Sequence, residues 1–231
     1  MPGAVVAPLE IPGAHYVGNH VCFDCHTNIT RKFEASPHAH LANADLNDGT
    51  GCESCHGPGS KHVEAGGGYG KFIINPRQNP DACFRCHLTA RAEFQLPVHH
   101  PVLEGRLNCV QCHDPHGEDL LKPAGGLAMA RRNEGCAQCH REQTRPFVFE
   151  HPALREGCAT CHNPHGSINR MLLTQADNNL CFRCHAQNQS VPGQLYIGNS
   201  SHTYYLQLGT CWSAGCHTAV HGSDIDPRLR Y

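Results

Sequence analysis

Cysteine placement constrains this chain more than any other feature. All 16 Cys fall in pairs, and a His follows the second member of every pair. Seven pairs have the spacing C-x-x-C-H: Cys22-Cys25-His26, Cys52-Cys55-His56, Cys83-Cys86-His87, Cys109-Cys112-His113, Cys136-Cys139-His140, Cys158-Cys161-His162 and Cys181-Cys184-His185. The eighth, Cys211-Cys216-His217, carries two more residues between its cysteines. No thiol remains for a structural disulfide or a lipid anchor.

Cysteines at i and i+3 lie on one face of a helical turn. There they can form thioether bonds to the two vinyl groups of one haem, with the next residue, His, placed to ligate its iron. Competing readings explain less. A disulfide framework has no use for a His after the second Cys eight times over. A structural zinc site would pair two C-x-x-C units around one metal and leave the His without a role. A thioredoxin-like motif occurs once, not in series. The spacing therefore predicts eight covalently attached c-type haems, the last requiring its longer insert to bulge out of the turn.

Composition fits a chain packed around cofactors. Only 39% of residues are hydrophobic, Cys included, and 6% are aromatic, with Trp212 the single Trp. A core of ordinary density is hard to build from this; eight porphyrins, one per about 29 residues, would fill the interior instead. Charged residues are 16% with a formal net charge of −2, which excludes a charged disordered tail and a basic nucleic-acid binder. Each ferric haem with ionised propionates adds about −1, bringing the loaded protein to about −10. Some of the 18 Lys and Arg are expected to neutralise propionates. The remaining surface should repel anionic lipid and nucleic acid. No run of ~18 apolar residues is present to span a membrane as a helix. Met1 to Leu9 lacks the basic and apolar regions of a signal peptide, so an export signal is expected to be absent from this numbering.

The motifs repeat in twos. A Phe lies seven residues after the motif His in three of the four odd-numbered motifs (Phe33, Phe94, Phe147), and a further His follows shortly. HPVLEGRLNCVQCHDPHG from His100 and HPALREGCATCHNPHG from His151 are one unit with a two-residue difference. The expected architecture is a single haem-packed unit over 1–231. It comprises an N-terminal arm (1–21) and four di-haem modules (22–65, 83–117, 136–166 and 181–222). Connectors run through Gly66-Gly67-Gly68, Lys122 to Gly126 and Ser167 to Asn179. The fold class is a multihaem cytochrome c: short α-helices at the attachment motifs, otherwise irregular chain, and little or no β-structure. Pro58-Gly59 and Pro192-Gly193 read as turns.

Eight His follow cysteine pairs, leaving twelve of the 20. The module alignment supplies two distal iron ligands per module: His38 and His62, His100 and His116, His151 and His165, His202 and His221. His100 is preferred to His99 because His-Pro recurs at His151. His15, His20, His40 and His99 stay unassigned. Axial ligands on opposite faces of a haem hold their Cα atoms about 13 Å apart, and three residues span at most about 10 to 11 Å. His116 therefore cannot complete the haem of His113, nor His165 that of His162. The same is expected of His221 and His217. Each must reach another iron, and haems become cross-linked by backbone.

Iron with two His has no open position and can only change oxidation state. Two imidazoles favour a low potential, since Met raises it, and none of Met1, Met129 and Met171 recurs with the modules. The chain thus reads as a series of low-spin haems that conduct electrons, with no catalytic residue. Tyr204, Tyr205 and Trp212 read as haem-packing residues.

GCESCHGPGSKHVEAGG from Gly51, VHHPVLEGRLNCVQCHDPHG from Val98 and FVFEHPALREGCATCHNPHGSINRMLL from Phe147 resemble periplasmic decahaem cytochromes of the MtrA/DmsE type. GTCWSAGCHTAVHGS from Gly209 looks like related multihaem proteins with a C-x4-C-H site. The resemblance covers roughly Cys22 to Ser223, with eight haems in place of ten. It implies bis-His haems c, export before haem attachment, and electron transfer across or outside the outer membrane of a respiring bacterium. It also implies redox-protein donors and acceptors, among them an outer-membrane porin and an outer-surface multihaem cytochrome. Related polymeric wires complete a haem of one subunit with a His of the next, a role open to His15 or His20; an extracellular filament is the alternative to a periplasmic carrier. Octahaem nitrite or hydroxylamine enzymes resemble the chain in haem count alone, since they need an iron with an open site.

Overall fold

The computed structural model describes residues 8–34, 36–39, 51–117, 133–185, 187–188, 191–213 and 215–231. His40 and the expected connector at 122–126 lie outside these.

Regular structure is mostly short helix. The helices are α1 (Asn19–Phe23), α2 (Thr27–Phe33), α3 (Cys52–His56), α4 (Ser60–Glu64), α5 (Asp81–Phe84), α6 (Leu88–Glu93), α7 (133–137), α8 (Arg141–Thr144), α9 (Asp177–Phe182) and α10 (Tyr205–Leu208). Seven two-residue strands form small antiparallel ladders: β1 (Val98–His99), β2 (Phe149–Glu150), β3 (Gly166–Ser167), β4 (Gln187–Asn188), β5 (Tyr196–Ile197), β6 (Ser200–Ser201) and β7 (Gly222–Ser223). β1 pairs with β3, β2 with β7, and β4, β5 and β6 make a meander. Among the described residues no helix is long and apolar enough to cross a membrane.

The cysteine spacing dictates the local turns. In the first motif of each pair, the leading Cys sits in a short helix and its carbonyl accepts from the motif His N–H, at 2.9 Å for His26, 3.0 Å for His87, 2.9 Å for His140 and 3.0 Å for His185. His26, His87 and His140 then take a common backbone conformation (φ −103, −87 and −97°; ψ 40, 61 and 56°) and cap α2, α6 and α8. Two second motifs tighten to 3₁₀ turns, Cys109–Gln111 and Cys158–Thr160. In the wider eighth motif His217 N–H still reaches the Cys211 carbonyl at 2.9 Å. Within the longer insert Gly215 has a φ of 74°, which favours glycine. Pro192-Gly193 makes the expected turn, closed by Gln194 N–H to Val191 O at 3.0 Å. Pro58-Gly59 does not: no turn bond closes across it, Ser60 N–H donating instead to His15 O at 3.2 Å, and the pair leads directly into α4.

Chain contacts divide the molecule into two compact units, 1–95 with 100–122 and 96–99 with 123–231. The apolar core is small. Ala82, Phe84, Phe94 and Val102 are the buried hydrophobic residues among those described. The polypeptide exposes 15,691 Å², against about 10,300 Å² for a compact chain of its mass. Protein side chains alone leave much of the interior surface uncovered, as the composition anticipates.

The first unit is tied together by a buried carboxylate. Glu53, 1% exposed, lies between the cysteines of the second motif. It accepts from Val17 N–H at 3.0 Å, Gly18 N–H at 2.8 Å and Gly59 N–H at 2.7 Å. Those bonds pin the segment before the first motif to the second. In the second unit Gly222 on β7 lies flat against Phe147: a Cβ there would stand 2.3 Å from the ring. Phe147 is one of the phenylalanines that recur after the odd motifs, and only glycine admits it.

Candidate haem-binding site

The leading cysteines of consecutive motifs meet in twos. Cys22, Cys83 and Cys136 are hydrogen-bonded to Cys52, Cys109 and Cys158, and Cys181 lies beside Cys211. As free thiols, Cys52, Cys109 and Cys158 are lowered to about 7 by that hydrogen bond, and Cys22, Cys83 and Cys136 are raised by it. Cys181 rises to about 11, first through burial and then through the charge of Cys211. All 16 cysteines lie among the described residues, and none is in a disulfide.

A set of asparagines, missed in the sequence reading, locks these contacts. Asn19 Oδ1 accepts from Cys52 N–H at 2.9 Å, Asn133 Oδ1 from Cys158 N–H at 3.1 Å and Asn178 Oδ1 from Cys211 N–H at 2.7 Å. Each Asn lies three residues before the leading Cys of the preceding motif. The signal N-x-x-C-x-x-C-H was therefore visible at three positions, but an Asn alone carries no haem chemistry to draw attention to it. At the corresponding place before Cys83 the residue is Pro80, and Asn79 instead accepts from Asp81 N–H at 2.9 Å.

The imidazoles face one another in pairs. Ring centres are 6.3 Å apart for His26 and His62, 6.0 Å for His38 and His87, 5.9 Å for His56 and His116, 6.1 Å for His151 and His185, and 6.2 Å for His162 and His221. Four pairs are nearly parallel, with interplanar angles of 14, 7, 16 and 20°; His38 and His87 cross at 79°. Each pair joins one His that follows a cysteine pair to one that does not. His116 stands against His56 and not His113, and His221 against His162 and not His217. This separation is too wide for stacking and too narrow to admit a side chain. It matches a metal midway, since two iron–imidazole bonds of about 2 Å plus about 1.1 Å from each nitrogen to its ring centre sum to about 6.2 Å. Among the described residues no three His, Cys, Asp or Glu converge on one point. Two opposed imidazoles leave four equatorial positions for a macrocycle to supply.

Hydrogen bonds orient the rings. The Nδ1 atoms of His56, His162 and His217 lie 2.9, 2.7 and 2.6 Å from the carbonyl oxygens of Ile74, Met171 and Arg228. Those of His62, His151 and His202 lie 2.9 Å from Lys71, Val220 and Ser200 oxygens. A carbonyl at Nδ1 fixes the proton there and leaves Nε2 as the ligating lone pair. His99 shares the feature, with Leu96 O at 2.6 Å. Burial lowers the pKa of His116, His151 and His221 below the usual imidazole range, and the facing His56 and His162 push His116 and His221 further down. All three are thereby held in the neutral form that binds metal.

The other expected ligands are placed as follows. His100 directly follows β1, as His151 follows β2, and the two ladders share a register (His99 opposite Gly166, Glu150 opposite Gly222). His113 ends the fourth attachment turn and His140 caps α8. His165 N–H donates to Asn163 Oδ1 at 3.2 Å. The His202 ring meets Tyr205 edge-on at 6.3 Å and faces no other His among the described residues. His217 likewise faces none. Trp212, inside the eighth attachment loop, has its indole N–H buried without a partner among the described residues. That donor suits a cofactor bearing carboxylates.

Two comparisons bear on this geometry. A family model described as a doubled CXXCH motif matches residues 99–145 and 151–190. Those stretches hold the cysteine pairs that end at His113, His140, His162 and His185. The chain is also similar to an MtrA-type cytochrome. It is 31% identical over 217 residues, 89% of its length, to the multiheme cytochrome MtrA of Shewanella baltica (strain OS185). It spans 58% of that protein's length.

Proposed function

We propose that the chain is an octahaem electron conduit, built from four di-haem modules and carrying electrons through bis-His haems c. The five imidazole pairs at 5.9 to 6.3 Å carry this reading. Cys22, Cys25, Cys52, Cys55, Cys83, Cys86, Cys109, Cys112, Cys136, Cys139, Cys158, Cys161, Cys181, Cys184, Cys211 and Cys216 hold the thioether bonds. His26, His56, His87, His113, His140, His162, His185 and His217 are the proximal ligands. His38, His62, His116, His151 and His221 are distal ligands by their facing rings, and His100 and His165 by their places in the repeat.

When bound, haem supplies reversible one-electron chemistry at low potential. The polypeptide supplies two things. First, facing imidazoles such as His56 and His116 would hold the metal between them and exclude substrate and water from it. Second, His38 reaches back from the first module to His87 in the second while His116 returns to His56; His151 to His185 and His221 to His162 repeat the exchange. The first module is thereby held to the second, and the third to the fourth, by their own ligands. The reading places the chain after export, in the periplasm or at the outer membrane. There it would receive electrons from a redox protein and pass them to an outer-membrane porin–cytochrome partner.

The test is made on purified holoprotein. Intact mass should exceed that of the chain by eight haems. The ferric protein should be predominantly low-spin, and film voltammetry should return reversible uptake of eight electrons at low potential. Fewer attached haems, or turnover of nitrite or hydroxylamine, would overturn the proposal.

A further inference from the structure

Where two modules trade ligands, the two traded His are linked to each other. In the second unit backbone groups hold that junction: His151 N–H donates to His221 O at 3.3 Å, and His151 Nδ1 lies 2.9 Å from Val220 O. The matching junction of the first unit, between His38 and His116, is held by a side chain. Ser36 is fully buried. Its Oγ donates to Pro115 O at 3.0 Å, one residue before His116, and accepts from His38 N–H at 3.1 Å. The same Oγ lies 3.5 Å from His38 Nδ1. A hydroxyl has one proton, and here Pro115 O takes it. Toward His38 the oxygen is therefore an acceptor, which puts the ring proton on Nδ1 and leaves Nε2 as the lone pair for a metal.

Ring direction separates this junction from the others. In each of the four nearly parallel pairs one member, His62, His56, His151 or His162, has Nδ1 within 2.7 to 2.9 Å of a backbone carbonyl. The pair with a hydroxyl at Nδ1, His38 and His87, crosses at 79°. Groups around a ligating His fix its ring orientation. Here that group lies two residues before the His and also binds its amide, so the ring is drawn toward its own backbone. We infer that Ser36 is a positioning residue that sets the plane of the His38 imidazole, and with it the crossed ligation of the haem attached at Cys83, Cys86 and His87. The inference rests on the haem reading proposed above. For conduction the effect is to make one haem of the first unit electronically unlike its neighbours, because the ligand planes fix which iron orbital carries the ferric hole.

The experiment compares the ferric holoprotein with its Ser36→Ala and Ser36→Thr variants by low-temperature electron paramagnetic resonance. Haem attachment is first counted by mass, so that failure of the haem reading is seen separately, as haems missing from the unaltered protein. Ser36→Ala deletes the hydroxyl and keeps the backbone bonds of the turn after α2, residue 36 N–H to Phe33 O at 2.8 Å and Ala39 N–H to residue 36 O at 3.0 Å. The unaltered protein should show one strongly anisotropic low-spin signal. Ser36→Ala should lose it and gain one haem's share of rhombic low-spin signal, while Ser36→Thr, which retains the hydroxyl, should keep it. An anisotropic signal that survives in Ser36→Ala overturns the inference, because the plane is then set without the hydroxyl. Its loss in both variants alike does so too, by making the volume of the site the cause. High-spin iron or a missing haem in Ser36→Ala alone also overturns it, since the hydroxyl would then serve ligation itself and not its direction. Rhombic signals alone in an unaltered protein with eight haems would remove the crossed pair and the inference with it.

Discussion

His56 and His116 face each other at 5.9 Å with their planes 7° apart, although His116 lies three residues from another haem-attachment His. The short tether keeps His116 from facing His113, and the fold delivers its ring to His56. This arrangement makes His116 replaceable without touching an attachment motif. His116→Met should keep eight haems by mass and raise the potential of one well above the other seven, because thioether ligation favours ferrous iron. Voltammetry should resolve one wave shifted positively. Seven unshifted waves with the eighth also unmoved would mean that His116 ligates nothing.

The crossed pair differs from the rest. His38 and His87 lie at 79°, whereas the four other facing pairs lie within 20° of parallel. Perpendicular imidazoles leave the two iron orbitals that accept their π-density nearly equal in energy, so the low-spin ferric signal becomes strongly anisotropic. One such signal from the first unit is expected in the resonance spectrum, and His38→Ala should remove it while leaving the rhombic signals of the parallel pairs in place.

Much of this site was legible because haem attachment is written in contiguous residues. The motifs place the cysteines and eight His directly, and the repeat picks out a second set. Ligand exchange between modules was half legible: spacing could say which iron His116 cannot reach, while the choice of His56 depends on how separate segments dock. The plane angle at His38 has no sequence signature, because it is set by local packing around the ring. His202 shows the limit of alignment. Its position in the repeat matches a distal ligand, but among the described residues its ring meets only Tyr205.

The asparagine clamps are a second thing alignment passed over. Asn133 accepts from Cys158 N–H at 3.1 Å and donates from Nδ2 to Leu154 O at 2.8 Å. Asn133→Ala removes both bonds and leaves a half-buried N–H unpaired, at a cost of about 1 to 3 kcal/mol. Denaturant unfolding should register that loss with all eight haems still attached. Asn133→Asp retains the acceptor and should recover part of it. An unchanged midpoint for the Ala variant would show that the clamp contributes nothing.

Glu53 is the buried counterpart of these clamps, with its carboxylate serving Val17, Gly18 and Gly59 N–H groups. Truncation strands three backbone donors at once, and a buried unpaired donor costs about 1 to 3 kcal/mol. Glu53→Ala is therefore expected to destabilise by about 3 kcal/mol or more, and Glu53→Gln by less, since one acceptor oxygen survives. Amide exchange at Val17 and Gly18 should accelerate in the Ala variant while exchange at the second unit stays as it was. Uniform acceleration across both units would assign Glu53 a general role in place of a local one.

Acid response follows from the buried imidazoles. His116, His151 and His221 have folded-state pKa values lowered mainly by burial, so between those values and the ordinary imidazole value of about 6.5 the unfolded chain binds more protons than the folded one. Stability then rises with pH across that interval and levels off above about 6.5, where all three are neutral in both states. Iron at Nε2 acts in the same direction, since a proton must displace the metal. The ferric holoprotein should therefore keep constant unfolding midpoints from pH 8 down to about 6.5 and lose stability progressively below, with high-spin haem appearing in parallel. Replacing His221 with Ala should flatten the acid slope. A slope that steepens or stays unchanged would remove His221 from the set of groups whose protonation opposes folding.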